Sequence, residues 1–350
     1  MRHGGAAPAE RTSGSDRADT GPDAGIDAEA EDAVIEQPVA RAGGAAGRLV
    51  LAVSGGRDSM TLLAAAARAV PASVVAVATY DHGTGEPARA AVEQVVAQCA
   101  SYGIACIRGH APAATPRTEA AWRLARWQFL NATAGRFGAR IATAHTRDDQ
   151  LETLIIRILR HAGARGLAGL DADGAVVRPW LGVRRATVIR YATRHGVLYT
   201  EDPSNQSRAF LRNRVRLDLL PALRRVRPTF DAELLRVGDA AAQWRREVER
   251  LVTVLCPARV DSTGLSVAAA DLLRYDGAAL AIVWPVLAAR IGLALDRRGT
   301  ARLADFTTRG RIGGTIQLSG GFEVQRTTFS FVLRRGRGPY VSRGGPATAR

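Results

Sequence analysis

Residues 49–59, Leu-Val-Leu-Ala-Val-Ser-Gly-Gly-Arg-Asp-Ser, constrain this chain most strongly. An apolar run too short for a helix ends in Ser54, Gly55, Gly56, Arg57, Asp58 and Ser59, and an alanine- and leucine-rich stretch starts at once after it. That order reads as buried strand, glycine turn, helix. Paired glycines allow positive φ and a close backbone approach, and the helix start turns its free amide hydrogens and positive dipole end into the turn. Such a corner suits phosphate. No Gly-Lys-Ser/Thr follows, so the turn is not a Walker A loop. A serine- and glycine-rich turn can also exist simply to make a corner. An acid inside a phosphate turn, however, is repulsive unless a cation lies between, so Asp58 suggests Mg²⁺.

Downstream, β-branched runs alternate with helical ones: Leu49–Val53, Val74–Thr79, Ala105–Gly109 and Ala139–Ala144 are read as strands, each followed by a helix. This predicts an α/β fold, a parallel sheet with helices on both faces. Ligands of such sheets lie beyond the carboxyl ends of the strands. Ser54, Asp81 and His145 fall there in three separate turns.

Asp81 and His82, followed by Gly83, read either as a plain turn or as a nucleotide contact. In His145-Thr-Arg-Asp-Asp-Gln-Leu-Glu152, the acids Asp149 and Glu152 are three apart and share a helix face, with Asp148 close by. Acids at a helix start can be mere dipole partners. Beside a phosphate turn, a carboxylate pair for Mg²⁺ accounts better for them, which makes Asp58 and Asp149 the candidate metal residues. Arg123 and Arg126, with Glu119, occupy one side of a helix and read either as an exposed ion-pair stripe or as an arginine surface against RNA backbone. Arg178 and the cluster Arg212-Asn-Arg214-Val-Arg216 are further anion-binding candidates, against the plainer reading of a solvated charge run.

Charge supports a polyanionic partner. Residues 1–47 hold four arginines against nine acids, leaving 44 arginines against 24 acids for the rest. That imbalance favours nucleic acid. The leader has few apolar residues and no period, and is expected to be a disordered acidic tail. Lysine is absent, so no lysine side chain can act as nucleophile and any amine in the chemistry must arrive as substrate. Cys99, Cys106 and Cys256 form no Cys-x-x-Cys pair, which argues against a zinc site, an iron–sulfur cluster or a disulfide scaffold. No apolar stretch reaches the ~20 residues a membrane span needs. The expected location is the cytoplasm.

Together, Ser54–Ser59, Asp81-His-Gly83, Glu119-x-x-x-Arg123-x-x-Arg126, Ala144-His-x-x-Asp-Asp-Gln-x-Glu-Thr153, Arg160–Leu170, Arg178-Pro179, Asp202-Pro-Ser-Asn205 and Arg212-Asn-Arg-Val-Arg216 resemble the ordered motifs of the bacterial tRNA(Ile)-lysidine synthetases. These belong to the PP-loop ATP pyrophosphatases. The resemblance covers roughly residues 48–225. It departs from the family at Gly83-Thr84-Gly85 and Arg160-His161-Ala162-Gly163, which leaves roles there open.

The resemblance implies ATP and Mg²⁺ as requirements, L-lysine and a tRNA(Ile) with a CAU anticodon as substrates, and adenylation of the wobble cytidine before lysine displaces AMP. It implies ATP contacts at Ser54–Ser59, Asp81 and His82. Asp58, Asp149, Glu152, Arg212 and Arg214 would be catalytic, and Arg123, Arg126, Arg178 and Arg216 would bind tRNA. A homodimer is compatible with it. The expected domains are the 1–47 tail, a PP-loop domain over 48–225, a mostly helical tRNA-binding domain over 226–335 with a small terminal β segment, and a 336–350 tail. Competing readings are a cytidine thiolase, a small-molecule synthetase of the same superfamily, and a nucleotide sensor without chemistry.

Overall fold

The computed structural model describes residues 23–112, 114–116, 118–172, 176–201 and 207–336. The chain divides into two compact units, Met1–Glu152 with Asp173–Asp218, and Thr153–Ala172 with Leu219–Arg350. The second unit thus takes 153–172 together with the chain from Leu219 onward. Asp202–Asn205, the tail 337–350 and the first 22 residues of the leader lie outside the described residues.

The first unit opens with helix α1 (Asp23–Ala46), followed by β1 (Leu49–Ala52), α2 (Arg57–Ala69), β2 (Val74–Asp81), α3 (Glu86–Ser101), β3 (Cys106–His110), α4 (Glu119–Phe137), β4 (Arg140–Ala142) and α5 (Arg147–Leu159). β5 (Val176–Val177), α6 (Arg185–Arg194) and α7 (Leu211–Arg214) complete it, and a π-helical turn, Val215–Leu219, continues α7. The five strands form one sheet in the order β3-β2-β1-β4-β5, with every pairing parallel. The expected α/β class is what is found. From β1 the chain builds outward to β2 and β3, then returns to the other side of β1 for β4 and β5. The strand order thus reverses between β1 and β4, where a doubly wound sheet opens a crevice at its carboxyl edge.

Local chemistry places the helix ends. Thr118 caps α4 by accepting the Ala121 N–H, and Gly138, at φ +56°, closes it in the left-handed conformation that costs glycine least. Leu49, Val50 and Leu51 of β1 are fully buried and Ala52 partly so, as expected of a central strand between two helical layers.

The expected disordered leader is corrected over residues 23–46. α1 packs on the first core, burying Ile35 and Val39 completely or nearly so. The Trp180 indole N–H donates to the Ile35 carbonyl at 3.0 Å, and the Tyr191 hydroxyl donates to Glu36 at 2.7 Å. Its acids meet bases of α2 and α6: Glu36 with Arg68, Glu31 with Arg190 and Arg194, and Asp32 with Arg194 and His195. Two apolar residues four apart suffice because the remaining acidic face finds partners elsewhere in the unit. Composition registered the acidity and could not register those partners.

In the second unit, α8 (Leu220–Val226) and α9 (Phe230–Leu255) are followed by β6 (Ala258–Asp261), β7 (Gly264–Ala268), α10 (Ala269–Leu273), α11 (Gly277–Ala289), α12 (Arg297–Arg309), β8 (Thr315–Gln317), β9 (Phe322–Arg326) and β10 (Ser330–Arg335). The strands form a second, antiparallel sheet ordered β6-β7-β10-β9-β8. The expected short terminal hairpin is thus part of a five-stranded sheet. The β6–β7 hairpin turns at Asp261, whose carboxylate accepts the Thr263 and Gly264 N–H groups. Around Trp284, Leu287, Leu303, Val324 and Phe331 this unit has a core of its own. No helix among the described residues is long and apolar enough to cross a membrane.

Ile35→Ala should lower unfolding stability by about 2–5 kcal/mol, the usual cost of emptying a buried aliphatic site. Chemical denaturation measures it; an unmoved midpoint would mean that α1 does not pack.

Candidate active site

Three helix starts meet at the carboxyl edge of the first sheet. α2 brings Asp58 in its first turn, α5 brings Asp148 and Asp149, and α6 begins with Arg185. Each helix start has amide hydrogens without an intrahelical partner, so together they present a positive, donor-rich floor.

The glycine turn has the expected form. Gly55 has φ +85°, and a β-carbon on it would lie 2.8 Å from the Ala91 β-carbon and 2.9 Å from the Ala91 carbonyl oxygen, so α3 packs too closely for any side chain. The Ser59 hydroxyl donates to the Gly56 carbonyl at 2.8 Å and accepts the Ser54 N–H at 3.1 Å, which ties the turn across itself. Arg57 points elsewhere, over the Tyr199 ring at 5.1 Å and toward Glu201.

α5 starts with a reciprocal cap: Asp149 Oδ2 accepts the Thr146 N–H at 2.9 Å and the Thr146 hydroxyl at 2.8 Å, while the Thr146 hydroxyl oxygen accepts the Asp149 N–H at 3.4 Å. Asp148 caps the neighbouring helix, accepting the Arg185 backbone N–H at 2.8 Å. The modest role of helix-dipole partner therefore describes Asp148 well. Asp149 and Glu152 make further bonds beyond such a role.

Those two acids and Asp58 are knotted to three arginines. Arg185 donates to Asp58 at 3.3 Å, Asp149 at 2.7 Å and Glu152 at 3.0 Å. Arg212 donates to Glu152 at 2.7 Å and Asp149 at 2.9 Å, and Arg216 donates twice to Glu152, at 2.7 and 3.0 Å. Burial opposes charge on Asp149, but Arg185, Arg212 and the Thr146 cap prevail and hold its pKa at about 2. Glu152 is likewise lowered against its burial, by Arg216 and then by Arg185 and Arg212. Asp58 goes the other way: burial raises its pKa and outweighs Arg185.

Arg214, an expected catalytic residue, is exposed and makes none of these bonds. A side chain two positions from Arg212 and Arg216 on a helical turn faces away from both. Asp81 accepts the Gly83 N–H at 2.7 Å and so closes its own turn. His82 packs edge-on to Tyr80 at 5.1 Å, and burial lowers its pKa. Arg126 is half-buried near His82 and His145, its Nε without a hydrogen-bond partner, while Arg123 is exposed on α4. Arg178 donates to the Val176 carbonyl at 3.4 Å and bears electrostatically on His145. Arg185 escaped the sequence reading because it lies inside what reads as an ordinary helix. The turn at Val183 before it was its one local signal.

The donor set tests the expected metal residues. Mg²⁺ is held through one or two carboxylates plus substrate phosphates. Asp58 fits, with a partly exposed carboxylate and a single ion pair at 3.3 Å. Asp149 does not fit, since both of its oxygens are already engaged by N–H and O–H donors. No group of three or more acids, histidines and cysteines among the described residues could hold a metal.

His145, whose Nδ1 lies 2.8 Å from the Thr143 hydroxyl, has its pKa pushed down to about 4, chiefly by burial, with Arg178, Arg212 and Arg126 adding to the effect. In the unfolded chain it takes up a proton near its ordinary 6.5, so between there and about 4 the unfolded state binds more protons and acidification destabilises the fold. His145→Gln should reduce the slope of stability against pH in that window by close to one proton. An unchanged slope would show that His145 is solvated.

The PP-loop domain family matches residues 30–223. A tRNA(Ile)-lysidine synthase of Methylobacterium nodulans is 36% identical over 270 residues, which cover 75% of this chain and 72% of the relative. One of Salinispora arenicola is 35% identical over 296 residues, 80% of this chain and 89% of the relative. With Ser54–Ser59, Asp149, Glu152 and Arg212 inside the matched domain, the chain belongs to the tRNA(Ile)-lysidine synthase family of PP-loop enzymes.

Proposed function

We propose that this enzyme joins L-lysine to C2 of the wobble cytidine of a tRNA(Ile) with a CAU anticodon, in two displacements. The observation that carries this reading is the ionised, buried pair Asp149 and Glu152 set beside a phosphate turn. First, the C2 oxygen of cytidine attacks the α-phosphorus of ATP, and the bond to the β-phosphate oxygen breaks with loss of pyrophosphate. The base now carries AMP as a leaving group. An amine of lysine, its ammonium having given one proton to water, then attacks C2; the C–N bond forms, the C2–O bond breaks, AMP departs and the second amine proton also passes to water.

The chain's own residues have distinct tasks in this scheme. The amides at the starts of α2 and α5 face the negative charge of the phosphates. Mg²⁺ bound with ATP beside Asp58 would neutralise charge on the departing pyrophosphate. Asp149 and Glu152, kept ionised, attract the lysine ammonium and are too weakly basic to take its proton. Arg212 and Arg216 keep that pair charged. Arg123, Arg126 and Arg178 offer positive charge to the RNA backbone, and Asp81 and His82 border the nucleotide.

The direct test incubates the protein with ATP, labelled lysine and an unmodified tRNA(Ile) transcript. Label in RNA, with AMP and pyrophosphate formed in equal amounts, is the expected result; RNA without label would refute it. Asp58→Ala should slow pyrophosphate release by at least about 10²-fold, with tRNA affinity retained. Release at the normal rate would remove Asp58 from the mechanism. Arg212→Ala should cost about 10²-fold in turnover, because it strips donors from two buried carboxylates, whereas Arg214→Ala stays within about threefold. Equal effects of the two would contradict the division seen at α7.

A further inference from the structure

We propose that Arg185 is a positioning residue that couples the nucleotide turn to the carboxylate pair facing the amine, so that occupation of one side prepares the other. The inference deepens the ligation proposed above and rests on it. Arg185 distributes its guanidinium over two helices: Nε toward Asp58 on α2 at 3.3 Å, and its two terminal nitrogens toward Asp149 at 2.7 Å and Glu152 at 3.0 Å on α5. Among the described residues, Arg212 and Arg216 bond carboxylates of α5 alone. Arg185 is therefore the tie between the ATP half and the lysine half.

Its backbone is fixed while its side chain is shared. The Arg185 N–H is held by Asp148 at 2.8 Å, and the Val183 carbonyl just before it accepts the Arg147 N–H at 2.9 Å, so the start of α6 is stapled to the start of α5. From that fixed point a planar five-donor fork can span three acids, which the single ammonium of a lysine cannot. The bonds are unequal. The contact to Asp58 is the longest, and the contacts to Asp149 and Glu152 occupy oxygens that an incoming ammonium would use.

Three carboxylates face three guanidinium groups, so the knot is neutral before substrates arrive. A phosphate entering beside Asp58 attracts the Arg185 fork toward α2 and loosens its hold on Asp149 and Glu152. Those acids then lose a counter-charge, and a cationic amine restores it. Nucleotide and lysine should accordingly bind with positive coupling, and reciprocity requires the effect to be the same in both directions.

Calorimetry on the full chain with L-lysine, with and without saturating α,β-methylene-ATP and Mg²⁺, reads this directly. In the wild type the nucleotide should tighten lysine binding by about fivefold or more, within the usual span of coupling between sites. In Arg185→Gln that factor should fall close to one. Arg185→Lys, which keeps the charge and loses the fork, should restore part of the factor, and it carries the test where Arg185→Gln does not fold. Absence of coupling in the wild type, or a wild-type factor in either variant, would overturn the assignment. Lysine incorporation into tRNA is measured alongside in the wild type, so that failure of the ligation reading shows as RNA without label, separately from any change in the coupling factor.

Discussion

Glu152 has no exposed side-chain surface, yet four N–H groups from Arg185, Arg212 and Arg216 surround its two oxygens. Burying a carboxylate is costly unless it is paired and its lone pairs are filled. The arrangement of the site follows from meeting that requirement. Arg185 comes from the start of α6, Arg212 from α7 and Arg216 from the π turn that continues it, so three separate segments must be in place before Glu152 is compensated. The second acid, Asp149, shares two of those arginines and completes its coordination with the cap of its own helix.

In the proposed ligation, such a neutral knot gives a strongly basic chain a place to hold a cationic substrate. With 44 arginines against 24 acids beyond the leader, an amine would be repelled from most of the surface. Two ionised acids under guanidinium control create a local exception, while the arginines outside the knot remain available to a polyanion. The acidic leader follows the same logic at the opposite side of α6, where Glu31 and Asp32 neutralise Arg190 and Arg194.

Much of the fold was legible because its signals are local. β1 is a short apolar run, Gly55 and Gly56 mark the turn, and alternating strands and helices leave little choice but a parallel sheet. β5, two residues long, has no period to detect, and β6 and β7 lie among alanine-, leucine- and arginine-rich segments that read as helix. α1 was misread because its stability comes from Trp180, Tyr191, Arg190 and Arg194, all more than 140 positions away.

By itself the sequence determined the turn at Ser54–Ser59, the shared face of Asp149 and Glu152, and the family, since each depends on spacing along a few residues or on an ordered set of motifs. Only the tertiary structure decided that Asp149 has both oxygens engaged by N–H and O–H donors, that Arg214 turns away where Arg212 and Arg216 turn in, and that Arg185 bonds Asp58 on α2 as well as Asp149 and Glu152 on α5. The reason is physical. Spacing fixes which side chains share a face, whereas the partner a charge finds depends on which distant segments the sheet brings to the same edge.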